Sequence, residues 1–79
     1  MTAPDRTLDI RGVVCPLTFV KSKLALEQMV EGQVLEIITD YEPATRSIAK
    51  AMDEHGNAVL SLEQITKTDW RITIQKGGE

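Results

Sequence analysis

The apolar and polar positions of the chain divide it into six segments. Leu8-Asp9-Ile10-Arg11 alternates apolar and polar residues, the period of a strand with one buried face, and Gly12 breaks the pattern. This predicts a first strand over about Thr7–Arg11, with Leu8 and Ile10 aimed at a core and residues 1–6 as a lead-in. From Leu17 to Val30 there is no further proline or glycine, and the run is rich in Leu, Lys, Ala, Glu, Gln and Met. These are good helix formers, and they predict a first helix over about Pro16–Val30 closed by Glu31-Gly32. At the helical period this segment carries two apolar stripes. Phe19, Leu26, Met29 and Val30 fall on one side, and Leu17, Val20 and Leu24 lie nearly opposite. One stripe faces the sheet. The other is either an exposed apolar patch, an oligomer contact, or half-buried because the helix sits rotated, and periodicity does not choose among these.

Val34-Leu35-Glu36-Ile37-Ile38-Thr39 has the β-branched density of a central strand. Asp40-Tyr41-Glu42-Pro43 then opens a second helix, with acidic residues and a proline near its first turn. Ala44, Ile48, Ala51, Met52 and His55 give that helix one apolar face, and Gly56-Asn57 ends it. Val59–Ile65 and Trp70–Ile74 read as two strands joined by a hairpin loop at Lys67-Thr68-Asp69. The order βαβαββ predicts an α/β (α+β) two-layer sandwich, a four-stranded mixed sheet with two helices on one face. The opposite sheet face is left open.

Composition narrows what such a domain can be. Seventy-nine residues support a single domain, with an ordered core expected over about residues 7–76. Hydrophobic residues make up 42% and charged residues 27%, the balance of a chain that folds. Net charge is −3 and the nine basic residues are dispersed, which argues against nucleic acid as a partner. No apolar run approaches the ~18 residues of a membrane span, and the first residues lack a signal-peptide pattern. A single cysteine excludes an internal disulfide, a CxxC pair and a multi-thiolate metal site within one chain, so no metal or cofactor is expected and a cytoplasmic setting is inferred.

That cysteine is the candidate chemistry. Pro16 suits the first position of a helix, where its missing N–H would be unpaired in any case, so Cys15 falls at the N-cap. The positive end of a helix favours thiolate over thiol and lowers a cysteine pKa from about 8.5. His55, the only histidine, falls at the last turn of the second helix, the opposite kind of helix end, and is not expected to act with Cys15.

Taken together, Leu8-Asp9-Ile10-Arg11-Gly12 ahead of Cys15-Pro16, Gly32, Thr39-Asp40 and Ala44-Thr45-Arg46-Ser47-Ile48 resemble the TusA/SirA-type sulfur-carrier proteins from Leu8 through Ile74. The resemblance implies a small carrier whose cysteine, here Cys15, accepts a sulfane sulfur as a persulfide. The donor would be a cysteine desulfurase or rhodanese, and an acceptor protein would receive the sulfur. The chain departs from the family motif CPxP, reading Cys15-Pro16-Leu17-Thr18, and carries Ser47 where many members have an acidic residue. Thr18 keeps a backbone N–H that proline would lack, so the N–H groups of both Leu17 and Thr18 are expected to donate toward the Cys15 sulfur. The substitution then bears on first-turn rigidity or on a surface that a partner reads.

Around Cys15, Pro16 fixes the helix start, while Asp9 and Gly12 shape the turn before it. Arg11, Lys21, Lys23 and Arg46 are candidate contacts to a persulfide anion or a partner, against the alternative of ordinary solvated charge. Val20 and Leu24 are candidate partner contacts, and a monomer or weak dimer is expected. The alternative function is a non-catalytic interaction or regulatory module on the same fold.

Overall fold

The computed structural model describes residues 4–14 and 17–77. Its elements are β1 (Arg6–Asp9), α1 (Leu17–Glu27), β2 (Val34–Thr39), α2 (Glu42–Glu54), β3 (Ala58–Gln64) and β4 (Trp70–Gln75). The four strands form one mixed sheet in the order β1-β2-β4-β3. Parallel β1 and β2 pair Leu8 with Ile37, and antiparallel β2 and β4 pair Ile37 with Ile72. Leu35, Ile37, Ile72 and Ile74 therefore project from one face, where Ala25, Leu26, Ile48 and Met52 of the helices close over them. The expected two-layer architecture is present, with both helices on that face.

The other face is made of paired charge. Arg71 sits between Glu63 of β3 at 2.7 Å and Glu36 of β2 at 3.6 Å, and the Thr7 hydroxyl reaches Glu36 at 3.4 Å. A row of neutralised charges needs no protein cover, so a sheet of this kind is stable with one face in water.

Two expected boundaries shift. β1 ends at Asp9 rather than Arg11, because the Arg11 N–H turns back to Asp9 Oδ1 at 3.0 Å and Gly12 adopts φ +85°. α1 stops at Glu27 rather than Val30. Its last carbonyls are taken by tighter bonds from Gln28 to Ala25 and from Met29 to Leu26, and Lys76 Nζ caps the Leu26 carbonyl at 2.6 Å. Gly32 does have positive φ, but it lies in the turn leading into β2, well past the helix end. In α2, Thr45 joins Ala44, Ile48 and Met52 in the core, while His55 is an exposed C-cap.

Of the two stripes of α1, the one with Phe19, Leu26 and Met29 packs on the core, widened by small residues and without Val30. Thr18, Ser22, Ala25 and Leu26 are buried, followed by Met29, whereas Val30 is 65% exposed. Small side chains let the helix lie close, and the Ser22 hydroxyl is satisfied by the Thr18 carbonyl at 2.8 Å. Phe19 is half-buried, its ring 6.3 Å from that of His55. Leu17, Val20 and Leu24 are exposed on the single chain, which sets aside the half-buried alternative.

Ile37 lies at the centre of this arrangement and is fully buried. Replacing it with alanine is expected to cost ~2–5 kcal/mol from lost burial and cavity formation. For a domain of this size that is a thermal midpoint lower by roughly 10–25 °C, measurable by circular dichroism. Among the described residues, no helix is long and apolar enough to cross a membrane.

Candidate functional site

Residues 10–14 join the end of β1 to the start of α1, and most of their backbone is tied down. The Ile10 N–H continues the ladder to the Ile38 carbonyl at 2.8 Å, and the Val13 N–H closes a turn on the Ile10 carbonyl at 3.1 Å. Between them, Arg11 is held by Asp9, and the Gly12 N–H is accepted by Asp40 Oδ1 at 2.9 Å. The Gly12 φ of +85° explains its identity, since a side chain in that conformation is strained even though no neighbour would obstruct a Cβ.

Arg11 ties the loop to the sheet. Its guanidinium grips both Asp9 oxygens, the shortest contact 2.7 Å, and reaches Asp69 at 3.6 Å just before β4. The Arg11 side chain, helped by its backbone N–H, pulls the Asp9 carboxyl down from 3.8 to about 2. A carboxylate with a depressed folded-state pKa contributes its full stabilisation above its unfolded value and loses it as pH falls through the folded value. The clasp is therefore complete above about pH 4 and is lost toward pH 2. A carbon-detected NMR titration should place the Asp9 midpoint near 2, and Arg11→Ala should return it toward 3.8.

Beyond Val14 the chain reaches its cysteine. The placements of Cys15 at the N-cap and Pro16 at the first helical position lie outside the described residues. The residues on either side are described: the Leu17 N–H donates to the Val14 carbonyl at 3.0 Å, and α1 starts at Leu17. The Leu17 N–H is thus already engaged, a correction to the expectation that it donates toward the sulfur. Thr18 is fully buried. The departure from CPxP consequently lies inside the protein, and a partner cannot read its side chain directly.

The other candidates separate into distinct places. Lys21 and Leu24 line a groove of about 230 Å³ between β1 and α1, with Asp9 and Val13 on its other side. Lys23 lies on a different flank, in a groove with His55 and Lys76. Arg46 is paired along α2 with Glu42 at 2.8 Å. Lys21 and the exposed Leu17, Val20 and Leu24 share the helix that follows this loop and the 55% exposed Val14, whereas Lys23 lies on another flank and Arg46 is paired along α2. Sequence reasoning missed two residues of the site as clasp partners, Asp40 and Asp69. Asp40 stood in the recognisable Thr39-Asp40 pair, while nothing local to Asp69 distinguished it from a hairpin residue.

Comparison with known proteins covers almost the whole chain. A family model described as "Sulfurtransferase TusA" matches residues 6–76. An Archaeoglobus fulgidus protein named "Putative sulfur carrier protein" is 44% identical over 72 residues, 91% of this chain and 82% of the relative. An Escherichia coli K12 protein, "Putative sulfur carrier protein TsuB", is 38% identical over 71 residues, 90% and 95% of the two chains. Among solved structures, a SirA-like protein from Desulfitobacterium hafniense superposes with a TM-score of 0.82. That likeness covers 92% of this chain and 99% of the other at 24% identity, and it shows a shared fold.

Proposed function

The chain belongs to the TusA sulfurtransferase family, and from that premise we propose that it carries sulfane sulfur as a persulfide on Cys15 between a donor and an acceptor protein. What supports this reading is the sequence position of the chain's only cysteine. It follows a loop clasped by Asp9, Arg11 and Asp40 and precedes the first turn of α1. A helix start lowers the pKa of a nearby thiol, and a thiolate is the species that attacks sulfur.

The chemistry is an exchange between thiolates and persulfides. The Cys15 thiolate attacks the outer sulfur of a donor persulfide, a new S–S bond forms at Cys15, and the donor S–S bond breaks to release the donor thiolate. An acceptor thiolate then attacks the outer sulfur of the Cys15 persulfide, and the Cys15 thiolate leaves. Each step makes one S–S bond and breaks one, so no external oxidant or reductant is required. The sulfur donor would be a cysteine desulfurase or a rhodanese.

The exposed Leu17, Val20 and Leu24 stripe also suits a second reading, a non-catalytic module that uses this surface to bind a partner. Intact-protein mass spectrometry after incubation with a desulfurase and cysteine, or with a rhodanese and thiosulfate, separates the two. The carrier gains one sulfur atom that a thiol reductant removes. A protein that gains none, from donors able to load another carrier of the family, is the module.

A further inference from the structure

We propose that the groove between β1 and α1 takes an extended segment of a partner protein as a fifth strand of the sheet, one that carries an apolar side chain between two acidic ones. Such a site serves a sulfur carrier and an interaction module alike. β1 lies at the edge of the sheet, and β2 is its one neighbour among the described residues. Their parallel register, with the Ile10 N–H on the Ile38 carbonyl at 2.8 Å, turns the backbone of Arg6, Leu8 and Ile10 toward β2. Alternation then turns the N–H and C=O groups of Thr7 and Asp9 outward, where no described residue takes them. An unpaired edge of this kind is a template for another strand. The opposite edge strand, β3, is interrupted by a register shift between Val59 and Ser61, whereas β1 is regular.

The side chains along this edge select what pairs with it. Arg6 and Leu8 stand beside Leu35 and Ile37, on the helix side of the sheet, and α1 supplies the other wall of the groove with Lys21 and Leu24. Arg6 marks one end through its 2.8 Å bond to Gln28, just past α1. Lys21 lies seven residues earlier, about 10 Å back along the helix, and Leu24 falls between them. Neither cation has an ion pair among the described residues, and the carboxylate lining the groove, Asp9, is already gripped by Arg11. The groove is therefore basic on a chain of net charge −3, which favours an acidic segment. In an extended chain residues i and i+4 share one side about 13 Å apart, so two carboxylates come within reach of Arg6 and Lys21, with residue i+2 over the apolar middle. A volume of about 230 Å³ suits a side chain or two rather than a larger compact ligand. A second copy of this chain would offer its own β1, which brings Arg6 where a carboxylate is wanted.

The probe is a capped heptapeptide of threonine with glutamate at its second and sixth positions and valine at its fourth, titrated into the isotope-labelled full chain. Saturable binding is expected, with the amides of Thr7 and Asp9 shifted and newly protected from hydrogen exchange. The same peptide with lysine for glutamate is expected not to bind. Lys21→Glu, at an exposed position, should weaken the glutamate peptide by about tenfold or more. N-methylation separates strand addition from loose charge attraction, because alternate N–H groups of a strand point to opposite edges. Methyl groups on the glutamates and valine, or on the threonines between them, should abolish binding in one set and spare it in the other. Should Lys21→Glu fail to fold, the peptide series decides by itself. A glutamate peptide that does not saturate, a lysine peptide that binds as well, equal loss in both methylated sets, or shifts confined to residues outside β1 and α1 overturns the proposal. So does a chain that dimerises with Thr7 and Asp9 protected before any peptide is added, since a second copy is then the occupant.

Discussion

Cys15→Ser is expected to abolish sulfur loading completely while leaving the fold in place. The substitution exchanges sulfur for oxygen without adding bulk, so the thermal midpoint should stay within a few degrees of wild type. A serine hydroxyl stays protonated near neutral pH and offers no sulfur from which a persulfide could grow. The added sulfur seen by intact mass in the wild type should be absent in the variant at every donor concentration. Any residual gain of one sulfur atom by Cys15→Ser would place the acceptor group elsewhere, and with a single cysteine in the chain no other thiol exists to take it. The second arm is function in the presence of partners. A carrier loses both sulfur transfer and its downstream product with this substitution, whereas an interaction module retains partner binding.

How much of this was readable beforehand depended on which physical signal each element carried. β2 was legible from its density of β-branched residues and α2 because its apolar residues recur at the helix period, and the core takes Val34, Leu35 and Ile37 from β2 and Ala44, Ile48 and Met52 from α2. α1 was legible as a helix with two apolar stripes, of which the Phe19, Leu26 and Met29 one packs, but periodicity did not choose between them. Its packed face also takes in Thr18, Ser22 and Ala25, small residues that a reading of hydrophobicity passes over, while three large apolar residues are exposed. Its end was misplaced for a different reason. Lys76, distant in sequence, caps Leu26, and no local pattern announces a cap delivered from the far end of the chain.

The same division runs through the site. Asp9, Arg11 and Gly12 are neighbours in sequence, and a turn ahead of the cysteine was visible from them. Their partners Asp40 and Asp69 come from beyond β2 and before β4, so only the sheet order brings them to this loop. The open face follows the same rule. Glu36, Glu63 and Arg71 meet because β4 lies between β2 and β3, a register that no single strand encodes. The pairing of Arg71 with Glu36 and Glu63 lets that face stand in water without a cover.

The exposed stripe of α1 carries the other large expected effect. Leu24 is 53% and Val20 42% exposed, and both lie on the same helix as the groove-lining Lys21. Such residues contribute little to folding, so Val20→Gln with Leu24→Gln should shift stability by less than about 0.5 kcal/mol. Glutamine is neutral, so the field at Cys15 is unchanged and alkylation by a small reagent should proceed at the wild-type rate. Loading from a donor protein is different, because the donor must dock against the surface beside the cysteine. Fully burying a Val or Leu side chain is worth about 1.5–3 kcal/mol, so losing two half-exposed ones from a docking contact is expected to slow protein-to-protein loading by about 100-fold, or roughly 3 kcal/mol. Stopped-flow or quenched mass measurements with a desulfurase would read the ratio directly. A double variant that alkylates normally and still loads at the wild-type rate would show that the donor approaches from elsewhere, away from both the stripe and the groove that Leu24 lines. A variant slow in both reactions would instead mean that the stripe shapes the first turn of α1, because a surface used only for docking cannot alter the reaction of a small molecule with the thiol.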